Sequence, residues 1–89
     1  MLEVVYADEF VEGVSRIWSN RVLDDLNARL EAIERFPELG STNVRPSLVE
    51  RFGPGLRKYP VSSFVIVYRY LPERERLEFL ALPNGRTVR

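Results

Sequence analysis

Residues 55–70 read GLRKYPVSSFVIVYRY, and this stretch decides the fold. Its second half, Phe64–Tyr70, is dense in β-branched and aromatic residues and contains no polar residue before Arg69. Such a composition is typical of a strand covered on both faces. Ser62-Ser63 can close a tight turn after Leu56–Val61, so the stretch predicts a β-hairpin whose apolar second strand lies in mid-sheet. The core residues expected from this strand are Phe64, Ile66 and Tyr68.

Four cations in or near this hairpin are candidates for contact with a partner molecule. Arg57 and Lys58 precede the turn, Arg69 ends the apolar run, and Arg86 follows an Asn84-Gly85 turn. Because Arg57 and Lys58 are adjacent, a regular strand directs their side chains to opposite faces, one of them toward the helices. The alternative is that these cations only confer solubility or form ion pairs with Glu73, Glu75 and Glu78.

The first part of the chain predicts one strand and two helices. Leu2–Tyr6 is rich in β-forming residues. Asp8 can cap an amphipathic helix whose apolar stripe reaches Trp18, which we expect in the core or against the hairpin. A second amphipathic helix is predicted from Arg21 to Phe36, where the following Pro37 stops it.

The remaining segments complete an α+β pattern. Residues 41–55 are rich in loop-forming residues, although Leu48–Phe52 can form a turn of helix or a short strand. Arg76–Leu82 alternates in polarity and predicts a third antiparallel strand. The order β-α-α-β-β-β predicts an α-helical hairpin packed on one face of a small, mainly antiparallel β-sheet. At this length, residues 1–89 are expected to form a single domain.

Composition excludes several kinds of site. The chain contains no cysteine and no histidine, which rules out thiol nucleophiles, an imidazole general base and His- or Cys-ligated metals. We therefore expect no cofactor, no metal and no catalytic residue. The sequence shows no signal peptide and no apolar run long enough for a membrane span, so a soluble cytoplasmic protein without membrane contact is expected.

The charges are balanced overall but divided along the chain. Residues 1–50 hold ten acidic and five basic residues, whereas residues 51–89 hold three acidic and eight basic ones. A neutral total charge is unfavourable for non-specific nucleic-acid binding, which depends on neutralising phosphates. We therefore expect this chain to contact nucleic acid only indirectly.

The combined pattern resembles a known family over nearly the whole chain. The features are Ile17-Trp18 in the first helix, FPELG at residues 36–40 and GLRKYPV…FVIVYR from Gly55 to Arg69. They look like the ParE branch of the RelE/ParE toxin superfamily, the small toxins of bacterial type II toxin–antitoxin, or plasmid-stabilisation, modules. The chain departs from the family at Ser19-Asn20, where the first helix is short, and at Pro83-Asn84 before the Gly-Arg element.

This resemblance implies a compact toxin held inactive by a cognate antitoxin. ParE members are associated with poisoning DNA gyrase, so the implied activity is growth inhibition through a protein target, with Arg57, Lys58, Arg69 and Arg86 as candidate target-binding residues. RelE members instead cut mRNA on the ribosome. The missing histidine, and the absence of any tyrosine after Tyr70, argue against that reaction. A degenerate member that only binds its antitoxin is the third possibility.

Overall fold

The computed structural model describes residues 1–85, and the order of its helices and strands confirms the predicted α+β class. The predicted elements form with bounds that differ by one or two residues, except that the first helix ends early and a third helix is added. The elements are β1 (Glu3–Tyr6), α1 (Asp8–Ser15), α2 (Asn20–Arg35), α3 (Pro46–Phe52), β2 (Leu56–Val61), β3 (Phe64–Leu71) and β4 (Arg76–Ala81), with a 3-10 turn at Pro72–Arg74 between β3 and β4.

The four strands form one mixed sheet in the order β1-β4-β3-β2. The pairs β2–β3 and β3–β4 are antiparallel, whereas β1 runs parallel to β4. The apolar strand β3 therefore lies inside the sheet, as predicted. Ile66, Val67 and Tyr68 have no solvent exposure.

Successive residues of β3 point to opposite faces, and both faces are covered. Ile66 and Tyr68 belong to the main core, which packs under α1 and α2 together with Phe10, Leu26, Ile33, Leu77 and Phe79. Val67 belongs to a smaller cluster on the opposite face, against which Leu48 and Phe52 of α3 pack. Phe64 packs against the main core but is only partly buried. The continuous apolar run in the sequence thus reflects two separate packing layers.

Helix α3 decides between the two structures left open for Leu48–Phe52. Pro46 stands in the first turn, where its missing N–H costs no hydrogen bond, and Gly53 ends the helix with φ +89°. The Arg51 guanidinium forms an ion pair with Glu9 of α1. This contact ties α3 to the helical layer on the other side of the sheet.

The expectation that Trp18 lies in the core or against the hairpin is wrong. Helix α1 ends at Ser15, and α2 begins after Ser19, whose hydroxyl accepts the Val22 N–H at 3.3 Å. The apolar periodicity of a longer helix therefore does not extend to residue 18. Ile17 still points inward, but the Trp18 side chain is 93% exposed.

Candidate functional site

The register of the β2–β3 hairpin separates the predicted cations. Arg57 pairs with Tyr68 and Lys58 pairs with Val67, so their side chains lie on opposite faces, as the adjacency of the two residues predicts. Arg57 lies on the face of α1 and α2. Arg69 pairs with Leu56 and shares the face of Lys58. Arg86 lies outside the described residues.

Arg57 fixes the segment that follows α2. Its Nη1 donates to the carbonyl oxygens of Glu38 at 3.1 Å and of Gly40 at 2.9 Å. Beside it, the buried hydroxyl of Tyr68 accepts the Gly40 N–H at 2.7 Å and donates to the Pro37 carbonyl at 2.8 Å. Residues 37–40, most of the FPELG motif, are thus fastened to the sheet by two side chains from β2 and β3.

Gly40 is required by this close approach. A Cβ atom at residue 40 would stand 2.6 Å from the Tyr68 hydroxyl and 2.9 Å from the Lys58 carbonyl oxygen, distances that real Cβ contacts do not show. Burial raises the pKa of Tyr68, although the Gly40 N–H and the charge of Arg57 oppose that effect. The phenol therefore stays protonated at neutral pH and keeps its bond to Pro37.

Arg69 has a similar fastening role on the other face. Its Nη1 donates to the carbonyls of Phe52 at 2.8 Å and Pro54 at 3.1 Å, which fixes the end of α3. Its Nε donates to Glu78 at 3.0 Å. Arg69 is therefore occupied by bonds within the chain.

Glu78 is the centre of a charged network across three strands. It accepts from Arg69 and, at 2.9 Å, from Arg76, which also reaches Glu3 of β1 at 3.2 Å. Burial by itself would raise the pKa of Glu78, but the hydrogen bonds and charges of Arg69 and Arg76 outweigh it and lower the pKa. Glu78 is consequently an ionised structural group.

Lys58 differs from the other two described cations. Its backbone exchanges two hydrogen bonds with Ser41, but its ammonium group has no bonding partner within residues 1–85. Arg57, Lys58 and Arg69, the three candidates within residues 1–85, are therefore not brought into one cluster. The structure uses Arg57 and Arg69 to hold loops in place and leaves Lys58 available for contact with another molecule.

Two concave surfaces accompany these residues. A cleft of about 440 Å³ lies beside the start of β2, with Arg57 and Tyr70 in its lining. We call it the β2 cleft. An apolar groove of about 230 Å³ runs between α1 and α2, lined by Tyr6, Phe10, Val11, Val14, Leu23 and Leu30. We call it the helical groove.

The helical groove was missed by sequence reasoning. Tyr6 is 45% exposed and Val11 is 55% exposed, and Trp18, in the α1–α2 connection, is also exposed. Val11 follows Phe10 in the same helical turn, but α1 buries Phe10 and leaves Val11 exposed, so its buried face is narrower than its run of apolar residues. The break at Ser19-Asn20 was the available signal that the helix ends too early to bury Trp18.

The described part of the chain shows neither a metal site nor a membrane-spanning helix. Within residues 1–85, no three acidic side chains come together as a metal site would require. No described helix has the length and apolar content to cross a membrane. What the geometry provides is a set of cations at the sheet margin and two surfaces suited to binding.

Comparison with known proteins agrees with this fold. The family model for the ParE toxin of the type II toxin–antitoxin system parDE matches residues 4–88. No curated protein sequence gives a significant match.

Two solved structures share the fold. The isolated RelE toxin of E. coli has 12% sequence identity and a TM-score of 0.70, with 96% of this chain and 85% of that chain covered. The toxin–antitoxin complex RelBE of E. coli gives 14% identity and a TM-score of 0.67, over 94% of this chain and 96% of that chain. Given the family match over nearly its whole length, the chain belongs to the ParE toxin family of type II toxin–antitoxin systems.

Proposed function

We propose that this chain is a growth-inhibiting toxin that acts by binding a protein target, DNA gyrase, and is neutralised by a cognate antitoxin. Membership of the ParE family supports the toxin role. The inhibition involves no catalysis by the chain itself, and it takes place in the cytoplasm, where gyrase works.

The state of the cations is the observation that carries the choice of a binding mechanism. Cleavage of RNA through its 2′-hydroxyl requires positive groups aimed at the charge that develops on the phosphate, together with a general base. Here Arg69 is bonded to two backbone carbonyls and to Glu78, so it is not free to be aimed at a phosphate. Arg57 bonds through Nη1 to two loop carbonyls, which leaves only its Nε and Nη2 for contact with another molecule. With no histidine in the sequence, the sheet margin is better suited to contact with an acidic protein surface than to phosphodiester chemistry.

Neutralisation by an antitoxin is supported by the helical groove and by a relative. The RelE fold has been solved in complex with its antitoxin. Tyr6 and Val11 in the helical groove are exposed, as is Trp18 in the α1–α2 connection, and an amphipathic partner helix covers exposed apolar side chains of this kind. The antitoxin of this chain therefore contacts the helical layer.

One other activity has an observation in its favour. Two solved structures that resemble this chain contain RelE, so a ribosome-dependent mRNA endoribonuclease is the second candidate. Because their identity to this chain is 12–14%, the likeness concerns the fold. The bonded state of Arg69 and the absence of histidine count against the reaction.

The test compares two targets with the same purified protein. Gyrase supercoiling of relaxed plasmid is measured with increasing chain, and mRNA integrity is measured on ribosomes programmed in a cell-free translation system. We expect loss of supercoiling and intact mRNA, and Lys58→Ala should weaken the inhibition at least fivefold. The matched control is Arg74→Ala, an exposed arginine that has no bonding partner within residues 1–85 and should leave inhibition unchanged.

Two results would contradict the proposal. A defined mRNA cut in the ribosomal A site, with normal supercoiling, would establish the endoribonuclease. If expression without antitoxin neither slows growth nor inhibits gyrase, while the product of the neighbouring gene still binds, the chain is a degenerate member that only binds its antitoxin.

A further inference from the structure

The outer edge of β2 is paired at one place, and the β2 cleft opens where that pairing stops. Ser41 and Lys58 exchange two backbone hydrogen bonds of 2.9 Å. The chain then turns away from β2, because the Val44 N–H bonds to the Thr42 carbonyl at 2.9 Å. Bonding direction alternates along an antiparallel strand, so Leu56, two residues before Lys58, also directs its N–H and C=O outward. The interrupted pairing exposes them to the cleft.

The β2 cleft contains hydrogen-bond donors that have no partner within residues 1–85. Arg57 uses Nη1 for the loop carbonyls, while its Nε and Nη2 have no partner within residues 1–85. The hydroxyls of Thr42 and Tyr70 line the same space and are likewise without a partner there. Glu38 also lines the cleft, but its carboxylate makes no ion pair with Arg57 within the described residues. The free edge of Arg57 is thus available to an acceptor from another molecule.

The rest of the lining is aliphatic. Val44 and Leu56 belong to the small core cluster behind the cleft, and Val49 of α3 is 38% exposed at its wall. A ligand that fits this surface carries an anionic group beside a short apolar stem. A monoanion suits the cleft better than a phosphate dianion, because Arg57 is the one cation that lines it within residues 1–85 and Glu38 repels added negative charge.

We propose that the β2 cleft receives an acidic side chain from a protein partner, with the carboxylate on the free edge of Arg57 and the aliphatic stem against Val44 and Val49. Arginine and carboxylate form paired hydrogen bonds of matching geometry, which are stronger than neutral ones. Residues 51–89 carry eight cations against three acids, so an acidic partner is also attracted to this part of the chain. The inference rests on the proposed function in that the partner is the protein target, and it adds the anchoring residue.

The test uses a capped tripeptide, acetyl-Val-Glu-Val amide, titrated into the ¹⁵N-labelled chain. We expect saturable shifts in the backbone amides of Gly55 and Leu56 and in the Arg57 Nε–H. The Gln counterpart of the peptide and inorganic phosphate should each bind at least fivefold more weakly. Arg57→Gln should lower the affinity for the Glu peptide at least fivefold, and Arg74→Gln should leave it unchanged.

A second variant covers the case in which Arg57→Gln disturbs the loop that Arg57 holds. Val49→Glu places a negative charge at the cleft wall on an exposed helical position and leaves every bond of Arg57 intact, so it should also abolish binding. Equal affinity for the Glu and Gln peptides, or unchanged binding in Val49→Glu, overturns the proposal. Phosphate binding tighter than the peptide overturns it too and identifies an anion site of another kind.

These outcomes are independent of those for toxicity. If the chain binds the peptide through Arg57 but does not inhibit gyrase, the gyrase proposal is refuted and the proposal for the β2 cleft stands. If the chain inhibits gyrase but its amide resonances do not shift on addition of the peptide, the proposed function stands and the proposal for the β2 cleft is refuted.

Discussion

Tyr68 lies on β3, an inner strand of the sheet, and its hydroxyl accepts the backbone N–H of Gly40 at 2.7 Å. The two residues are 28 positions apart in the sequence. The same oxygen donates to the Pro37 carbonyl at 2.8 Å. A fully buried phenol thus satisfies two backbone groups of the turn after α2, which otherwise have no partner in the described structure.

Tyr68→Phe should destabilise the chain although it keeps the aromatic ring in the core. The substitution leaves the Gly40 N–H and the Pro37 carbonyl unpaired in a buried place, which costs about 1–3 kcal/mol of unfolding free energy. Urea denaturation followed by circular dichroism measures the change. Tyr59→Phe is the matched control, because the Tyr59 hydroxyl has no hydrogen bond within residues 1–85. Equal effects of the two substitutions would show that the Tyr68 bonds contribute nothing specific.

The network around Glu78 should make stability depend on pH on the acid side. The pKa of Glu78 in the folded chain is lowered below its ordinary value of 4.5, so the folded state binds protons less readily than the unfolded one. The stabilisation is therefore fully present above the unfolded pKa and is lost as the pH falls through the lowered folded pKa. The unfolding free energy, measured from neutral to strongly acidic pH, should therefore decrease as the pH falls.

Glu78→Gln identifies the responsible group. At neutral pH it should cost about 1–3 kcal/mol, because two arginines lose a charged acceptor. The difference from wild type should shrink as the pH falls and Glu78 itself becomes protonated. Glu73→Gln, at an exposed position, should follow the wild-type curve throughout. A Glu78→Gln deficit that stays constant down to strongly acidic pH would assign its effect to packing rather than to charge.

The hairpin turn contains a residue whose backbone conformation is strained, and substitution by glycine can relieve that strain. Ser62 has φ +55°, in the left-handed region that costs a residue with a Cβ about 1–2 kcal/mol. Ser62→Gly should therefore stabilise the chain, by about 0.5–1 kcal/mol after the greater flexibility of glycine in the unfolded state is subtracted. Ser63→Gly is the matched control, since Ser63 has no positive φ and glycine there should destabilise by a similar amount. Thermal unfolding of both variants decides the comparison.

The sequence predicted the sheet better than it predicted the site, for a physical reason. The composition of Phe64–Tyr70 reflects burial on two faces. In Arg76–Phe79 the alternation reflects burial of Leu77 and Phe79 in the main core, with polar residues between them, so the local sequence pattern was sufficient to assign both strands. The parity of Arg57 and Lys58 also follows from strand geometry alone.

The functions of the cations depend on contacts between distant segments. Arg57 bonds to carbonyls 17 and 19 residues away, and Arg69 bonds to carbonyls 15 and 17 residues away. Backbone carbonyls exist at every residue, so the sequence has no signal for which of them an arginine will reach. Trp18 shows the same limit, because its exposure depends on where α1 stops.

Trp18→Ala should separate partner binding from folding. The side chain is 93% exposed, so its removal should change the unfolding free energy by less than about 0.5 kcal/mol. Ile66→Ala, at a position with no exposure, should cost about 2–5 kcal/mol through the cavity it leaves. Denaturation of the two variants side by side checks this contrast.

The same Trp18→Ala variant should bind the antitoxin more weakly. If the antitoxin covers the exposed apolar side chains of the helical layer, including Trp18 in the α1–α2 connection, loss of Trp18 should raise the dissociation constant at least tenfold, since buried tryptophans contribute strongly to interfaces. Calorimetric titration with the product of the neighbouring gene measures the constant. Arg35→Ala, which removes another exposed side chain, at the end of α2, serves as the control and should leave the constant unchanged. If Trp18→Ala binds as tightly as Arg35→Ala, the antitoxin does not use Trp18, and its contact must lie elsewhere on the chain.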